Sequence, residues 1–88
     1  MHQTFPFKIE TPTGTFIEGD ITSLEITTYV GRLGIMANHE PIVAACPPGV
    51  IRFCLDGGWT SFRVGRAVFV ATGSEAKLLT ASAKLALF

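Results

Sequence analysis

Gly31-Arg32-Leu33-Gly34-Ile35-Met36-Ala37-Asn38-His39-Glu40-Pro41-Ile42-Val43-Ala44-Ala45-Cys46-Pro47-Pro48-Gly49 decides how the rest of the chain is read. Two glycines lead into a short apolar piece, Ile35-Met36. A second apolar piece, Ile42 to Ala45, ends at a hard stop, Pro47-Pro48-Gly49. Between them, Asn38 tolerates a left-handed backbone and Pro41 pushes Glu40 towards an extended conformation. The segment therefore reads as a shaped loop between two short strands, with His39 at its apex. A loop defined by backbone chemistry in this way is built to meet something.

Outward from that loop the chain alternates with a period of two. In Phe5 to Thr11, the residues Phe5, Phe7 and Ile9 point one way, and Pro6, Lys8 and Glu10 the other. That is a half-buried strand, with Pro6 placing its start at a sheet edge. Thr11-Pro12-Thr13-Gly14 is a turn. A second strand, Thr15 to Asp20, is blurred around Phe16-Ile17, and Gly19 suggests a bulge. Ile21 to Thr28 is a further strand with Leu24 and Ile26 inward, and Tyr29 to Arg32 turns the chain with two exposed apolar residues. Val50 to Leu55 and Trp59 to Val64 flank Asp56-Gly57-Gly58, a strong hairpin signal. Ala67 to Ala71 is wholly apolar, which predicts burial on both sides. Ala76 to Thr80 is the last clear strand, and the apolar tail 81–88 has a composition that suits a helix. Short strands with turns at intervals of about 8–12 residues predict an all-β fold: a small β-sandwich or flattened barrel of about eight to ten strands.

The composition fits one small domain. A chain of 88 residues buries about two thirds of its unfolded surface. Apolar residues make up 48% and charged residues only 16%, against about a quarter charged in an average domain. A single small core cannot hide that much apolar surface, so part of it is expected to be covered by a partner. Seven basic and seven acidic residues, net charge zero and no run of one sign argue against nucleic acid and against electrostatic attachment to lipid. No signal-peptide pattern opens the chain, and no apolar run approaches the length of about 20 residues that spans a bilayer.

Candidate chemistry is sparse. His39 and Glu40 lack the further ligands that zinc requires, at any familiar spacing. Cys46 has no neighbouring cation in sequence to lower its pKa. Cys46 and Cys54 therefore read as reduced, half-buried thiols. A corner at the intervening Pro-Pro-Gly would bring them near each other, and a disulfide is the alternative. Arg52, Arg63 and Arg66 could share one outer face and hold an anion; a solvated face with cross-strand charge pairs is the preferred reading. For His39 two compatible readings stand, hydrogen bonding that ties the loop together and a place at an interface. A sugar-binding module would need aromatic platforms, and only Tyr29 and Trp59 offer themselves, on different turns. A hydrolase built on His39 and a cysteine lacks a third group. The residues offer no convincing catalytic set; the expectation is a non-enzyme without cofactor, metal or small-molecule substrate, and a stand-alone ligand-binding β-sandwich is the alternative.

Phe16-Ile17-Glu18-Gly19, then Gly31 to Pro41, then Pro48-Gly49-Val50-Ile51-Arg52 resemble, in this order and spacing, the N-terminal β-sandwich domain of the epsilon subunit of F-type ATP synthases. The closing Ala76 to Ala83 resembles that family's last strand, and the likeness covers essentially the whole chain. It implies a single domain over residues 1–88. It also implies a rotor subunit in the central stalk, peripheral on the cytoplasmic face of the bacterial inner membrane, that links the gamma subunit to the ring of c subunits. Such a subunit couples proton or sodium flow to ATP synthesis. Carried over by position, Thr11, His39 and Ala44 fall where the family meets gamma, with Glu40, Pro41, Ile42 and Val43 completing that surface. Thr28, Tyr29, Val30, Gly31, Arg32 and Leu33 fall where the family meets the ring. Arg32 stands where an acid is usual, and Ala37 and Glu40 replace a common Pro and Ala. The family's C-terminal helical hairpin has no counterpart in these residues, so neither ATP binding nor autoinhibition is assigned to them. The expectation most exposed to the structure is that Arg32, the loop around His39 and Ile42-Val43 lie on the surface.

Overall fold

A computed structural model describes residues 3–86. They form ten strands in chain order: β1 (Phe5–Thr11), β2 (Gly14–Ile21), β3 (Ser23–Thr28), β4 (Gly31–Met36), β5 (Ile42–Cys46), β6 (Gly49–Leu55), β7 (Gly58–Val64), β8 (Ala67–Ala71), β9 (Ala76–Thr80) and β10 (Ala83–Leu85). One sheet has the order β2-β1-β9-β8-β5 and the other β10-β7-β6-β3-β4. The fold is the predicted β-sandwich. Strands β1 and β9 run parallel; the other pairs are antiparallel.

The period-two pattern builds the core. Phe5, Phe7, Ile9, Leu24, Ile26, Ile51, Phe53, Phe62, Phe69 and Leu78 are all buried. Phe7 of the first sheet meets Phe53 of the second at 5.6 Å between ring centroids, and Phe53 stacks on Phe62 at 5.5 Å. Each such side chain contributes about 1.5–3 kcal/mol by leaving water. The β6–β7 hairpin turns through Asp56 (φ 52°) and Gly57 (φ 81°), the doubly positive pair that a tight two-residue hairpin needs.

Connections cross between the sheets at both ends, and this gives the sandwich an upper and a lower end. The upper end carries Thr22, residues 37–41, the Asp56-Gly57 turn and residues 72–75. The lower end carries Pro12-Thr13, Tyr29-Val30, Pro47-Pro48, Gly65-Arg66 and Ala81-Ser82.

Four sequence expectations are corrected. The bulge in β2 sits at Phe16, not Gly19: the register skips from Ile9↔Ile17 to Glu10↔Thr15, while Gly19 pairs regularly with Phe7. The extra residue turns Phe16 edge-on to Phe62 at 5.3 Å, which is the source of the blurred pattern. Ile21 to Thr28 is not one strand, because the chain leaves the first sheet at Thr22. The tail is not helical as far as Ala86, since Ala83, Lys84 and Leu85 pair with Val64, Arg63 and Phe62; Leu87 and Phe88 lie outside the described residues. Strand β8 is not buried on both sides: Ala67, Phe69 and Ala71 face the core, but Val68 is 42% exposed.

Candidate functional site

The loop over residues 37–41 closes the upper end between β4 and β5. Asn38 adopts φ 64°, the left-handed conformation its position calls for. Its side-chain Nδ2 donates to Oε1 of Gln3 at 2.7 Å. The loop is therefore tied down by Asn38, not by His39. The His39 ring stands edge-on to Phe5 at 5.1 Å, and both ring nitrogens are shielded from solvent with no hydrogen-bond partner among the described residues. This overturns the reading in which His39 bonds the loop together. Glu40 and Pro41 are exposed beside it.

Strand β5 continues from this loop as the free edge of its sheet, paired only with β8. Ile42, Ala44 and Cys46 turn inward, with Ile42 packed against the core. Val43 and Ala45 turn outward, and Val43 is 76% exposed. Across β8 and β9 the outward row continues: Val43 pairs with Val70, and Ala45 with Val68, which pairs with Leu79. Val68 and Leu79 are exposed large apolar residues. Part of the surplus apolar surface implied by composition thus lies on the outward face of β5, β8 and β9, where Lys77 pairs with Val70; Tyr29, Val30, Met36, Trp59 and Leu85 are exposed elsewhere. The structure keeps residues 39–44 together but sets Thr11 apart. Thr11 lies at the lower end of β1, about 20 Å along the strand from Phe5 at a rise of about 3.3 Å per residue. Only a partner running the length of the sheet would reach both.

At the lower end, Thr28 is buried and shapes the β3–β4 turn. Its Oγ1 donates to the Gly31 carbonyl at 2.8 Å and accepts from the Val30 N–H at 3.2 Å. Gly31 takes φ 130°, a conformation that side chains disfavour. The turn thus holds Tyr29 and Val30 out in solvent, 64% and 96% exposed. Arg32 is exposed and lies 3.5 Å from Glu25. Leu33 turns inward against the core. Of the six residues expected to face a ring, Tyr29, Val30, Gly31 and Arg32 are presented to solvent, and Thr28 and Leu33 support them.

The remaining candidates separate. Cys46 and Cys54 are both free thiols, and the corner does not bring them together: β5 and β6 belong to different sheets, with Cys46 at the lower end and Cys54 at the upper. Burial pushes the Cys46 thiol above its ordinary value of 9.0, partly offset by a backbone hydrogen bond at Phe69. That holds it protonated at neutral pH, far from a nucleophile. Arg52 points outward, 3.3 Å from Glu25 in an ion pair not aligned as a hydrogen bond, and its guanidinium lies 4.1 Å over the Trp59 ring. This is the expected cross-strand charge pairing. Arg66 leaves that face for the β7–β8 turn. Tyr29 and Trp59 stand at opposite ends of the sandwich, so they form no shared sugar platform.

Sequence reading missed Val68, Val70 and Leu79 as surface residues. Their exposure follows from strand order, which no local pattern reveals.

The fold and these surfaces define a ten-stranded β-sandwich with a largely apolar outward row on β5, β8 and β9 and a shaped loop at its margin. A family model described as the ATP synthase Delta/Epsilon chain, beta-sandwich domain, matches residues 4–86, and the chain belongs to that family. An ATP synthase epsilon chain of Chlorobium limicola is 34% identical over 79 residues, covering 89% of this chain and 90% of the relative. The epsilon chain of Caldicellulosiruptor bescii is 28% identical over 76 residues, 86% of this chain but only 56% of the relative's own length. A chain in the cryo-EM structure of Euglena gracilis mitochondrial ATP synthase (OSCP, F1 and c-ring) matches with a TM-score of 0.87 at 15% identity, covering 93% of this chain and 53% of that one. A chain in the central stalk and c-ring of Tetrahymena thermophila mitochondrial ATP synthase matches with a TM-score of 0.79 at 12% identity, covering 94% and 67%. At such identities the structural likeness concerns the fold.

Proposed function

We propose that this chain is a non-catalytic central-stalk subunit of an F-type ATP synthase. In this reading it joins a gamma subunit to the ring of c subunits and so couples proton or sodium flow to ATP synthesis. It works as a peripheral component on the cytoplasmic face of a bacterial inner membrane. The observation that carries the reading is the outward apolar row Val43, Ala45, Val68, Val70 and Leu79 beside the His39 loop, on a chain of this family. A bare sheet face of this kind suits a permanent partner, because the centre of a stable interface is apolar and depleted in charge. Gamma is assigned to this face and to residues 39–44, with Thr11 at its far margin. The exposed Glu40 and Pro41 beside His39 extend this face at its margin. The rotor ring is assigned to Thr28 through Leu33.

Co-purification with a cognate gamma subunit tests the reading, comparing wild type with His39→Ala and Arg32→Glu. Stoichiometric binding, weakened by His39→Ala and untouched by Arg32→Glu, supports both assignments. Absence of binding at micromolar concentration would leave only a shared fold.

A further inference from the structure

We propose that the lower end of the sandwich docks on a protein surface that presents carboxylates. The inference deepens the stalk reading and rests on it. Charge is evenly spread along the sequence, yet folding sorts it. Arg32 sits one step from the β3–β4 turn, opposite Thr27. Arg63 and Lys84 are direct partners near the lower ends of β7 and β10, and Arg66 lies in the β7–β8 turn. Four acids lie at the other end: Asp20 opposite Pro6, Glu40 before β5, Asp56 in the β6–β7 turn and Glu75 before β9. Among the described residues, one cation, Lys77, stands with them, and the one acid near the lower end, Glu10, pairs with Lys8.

The ion pairs among the described residues do not undo this polarity. They join Lys8 to Glu10 and Glu18, and Arg32 and Arg52 to Glu25. Arg63, Arg66 and Lys84 have no carboxylate partner among the described residues. Arg63 and Lys84 face one another directly across the ladder, an arrangement of like charges that is unfavourable without a counter-charge. Tyr29 and Val30 project from the same end. The Tyr29 N–H donates to the Ala45 carbonyl at 3.2 Å, which anchors the tip across the two sheets. Tyr29 and Arg66 line one groove, and Arg63 and Lys84 line a second with Pro48 and Ser82.

The lower end thus carries an apolar tip flanked by Arg32 and Arg66, with the Arg63–Lys84 pair at the opposite edge of the sheet. Three of the four cations are arginines, whose planar forks match carboxylates two bonds at a time. A lipid surface is the poorer fit: polybasic attachment uses clusters of about four to eight cations, and Arg32 already shares Glu25. On the stalk reading the facing surface is the polar loops of the rotor ring, and the proposal assigns those loops Asp or Glu.

The probe is the purified cognate c-ring in detergent, titrated with the complex of this chain and its gamma subunit. Expected are a loss of about tenfold in affinity for Arg66→Glu, and a larger loss for Arg63→Glu, Arg66→Glu and Lys84→Glu combined. Raising salt from about 50 to about 300 mM weakens wild-type binding by a similar factor. For Lys84→Glu alone, which lies away from the face assigned to gamma, binding to gamma and the thermal midpoint stay unchanged while ring binding falls, and Arg66→Gln gives a smaller loss of ring binding than Arg66→Glu. Ring binding that survives the triple reversal, with gamma binding intact, overturns the acidic partner and leaves the stalk reading standing. Failure of the wild-type chain to bind gamma overturns the stalk reading and this proposal with it. Binding of wild type to phosphatidylglycerol vesicles but not to the ring assigns the end to lipid and overturns the proposal.

Discussion

The two sheets share one core but turn different faces to solvent. On the outward side of β3, β6 and β7 stand Glu25, Arg52, Ser61 and Arg63, charged or polar and in part mutually paired, interspersed with Val50, Cys54 and Trp59. On the outward side of β5, β8 and β9 stand Val43, Ala45, Val68, Val70 and Leu79, with Lys77 beside Val70. The first is an ordinary solvated face. The second is mostly apolar, with Lys77 as its one charge. A domain too small to enclose all its apolar residues leaves a row of them side by side on one face, while Met36, Trp59 and the Tyr29-Val30 tip expose others elsewhere.

Neighbouring residues on β8 test the contrast most sharply. Phe69 is fully buried and Val68 is outward. Phe69→Ala should cost about 3–5 kcal/mol in urea unfolding. Val68→Asp should change stability by less than about 1 kcal/mol, yet lower the affinity for gamma about tenfold or more. Equal losses of stability in the two variants would mean that the outward face is part of the fold's own core.

The loop at the margin of the apolar face gives a smaller effect. Asn38→Ala places a residue unsuited to φ 64° and removes the bond to Gln3, so the thermal midpoint should fall by the equivalent of about 1–2 kcal/mol. Asn38→Gly should recover much of that, because only the hydrogen bond is lost.

Cys46 gives a pH test of the interior. Its folded pKa is raised above the ordinary 9.0 by burial, so the folded state holds the thiol proton more tightly than the unfolded state does. The contribution is constant below that value and is lost as pH rises from it towards the folded pKa. Cys46→Ala should flatten the alkaline fall in stability; an unchanged fall would assign it to other groups. Smallest of all, Arg52→Ala on the solvated face should cost about 0.5–1 kcal/mol and shift Trp59 fluorescence without affecting gamma binding.

Much of this was legible in the sequence. Alternation gave β1, β6, β7 and the inward sets Phe5/Phe7/Ile9 and Ile51/Phe53, because a half-covered strand writes its two faces into every second residue. Ala67 to Ala71 hid its faces, since an all-apolar strand reads the same whether its second face is covered by its own chain or by a partner. The break at Thr22 and the parting of Cys46 from Cys54 were invisible because a corner between sheets uses the same residues as a hairpin. The role of Asn38 depends on Gln3, a contact made 35 positions away, which no local motif encodes. Of the expected surface, Val43 and the tip at Tyr29-Val30 are exposed as anticipated and Ile42 and Ala44 turn inward; the outward residues of β8 and β9 were not anticipated.

The most direct test of the central claim is a calorimetric titration of the cognate gamma subunit with wild-type chain and with Val43→Asp. Val43 is 76% exposed, so the substitution should leave the thermal midpoint in place. The account predicts one-to-one binding by wild type and an affinity about 100-fold lower for the variant, since a buried unpaired charge at an interface centre is strongly unfavourable. Identical binding isotherms at unchanged stability would contradict it, and gamma would have to be placed elsewhere on the sandwich.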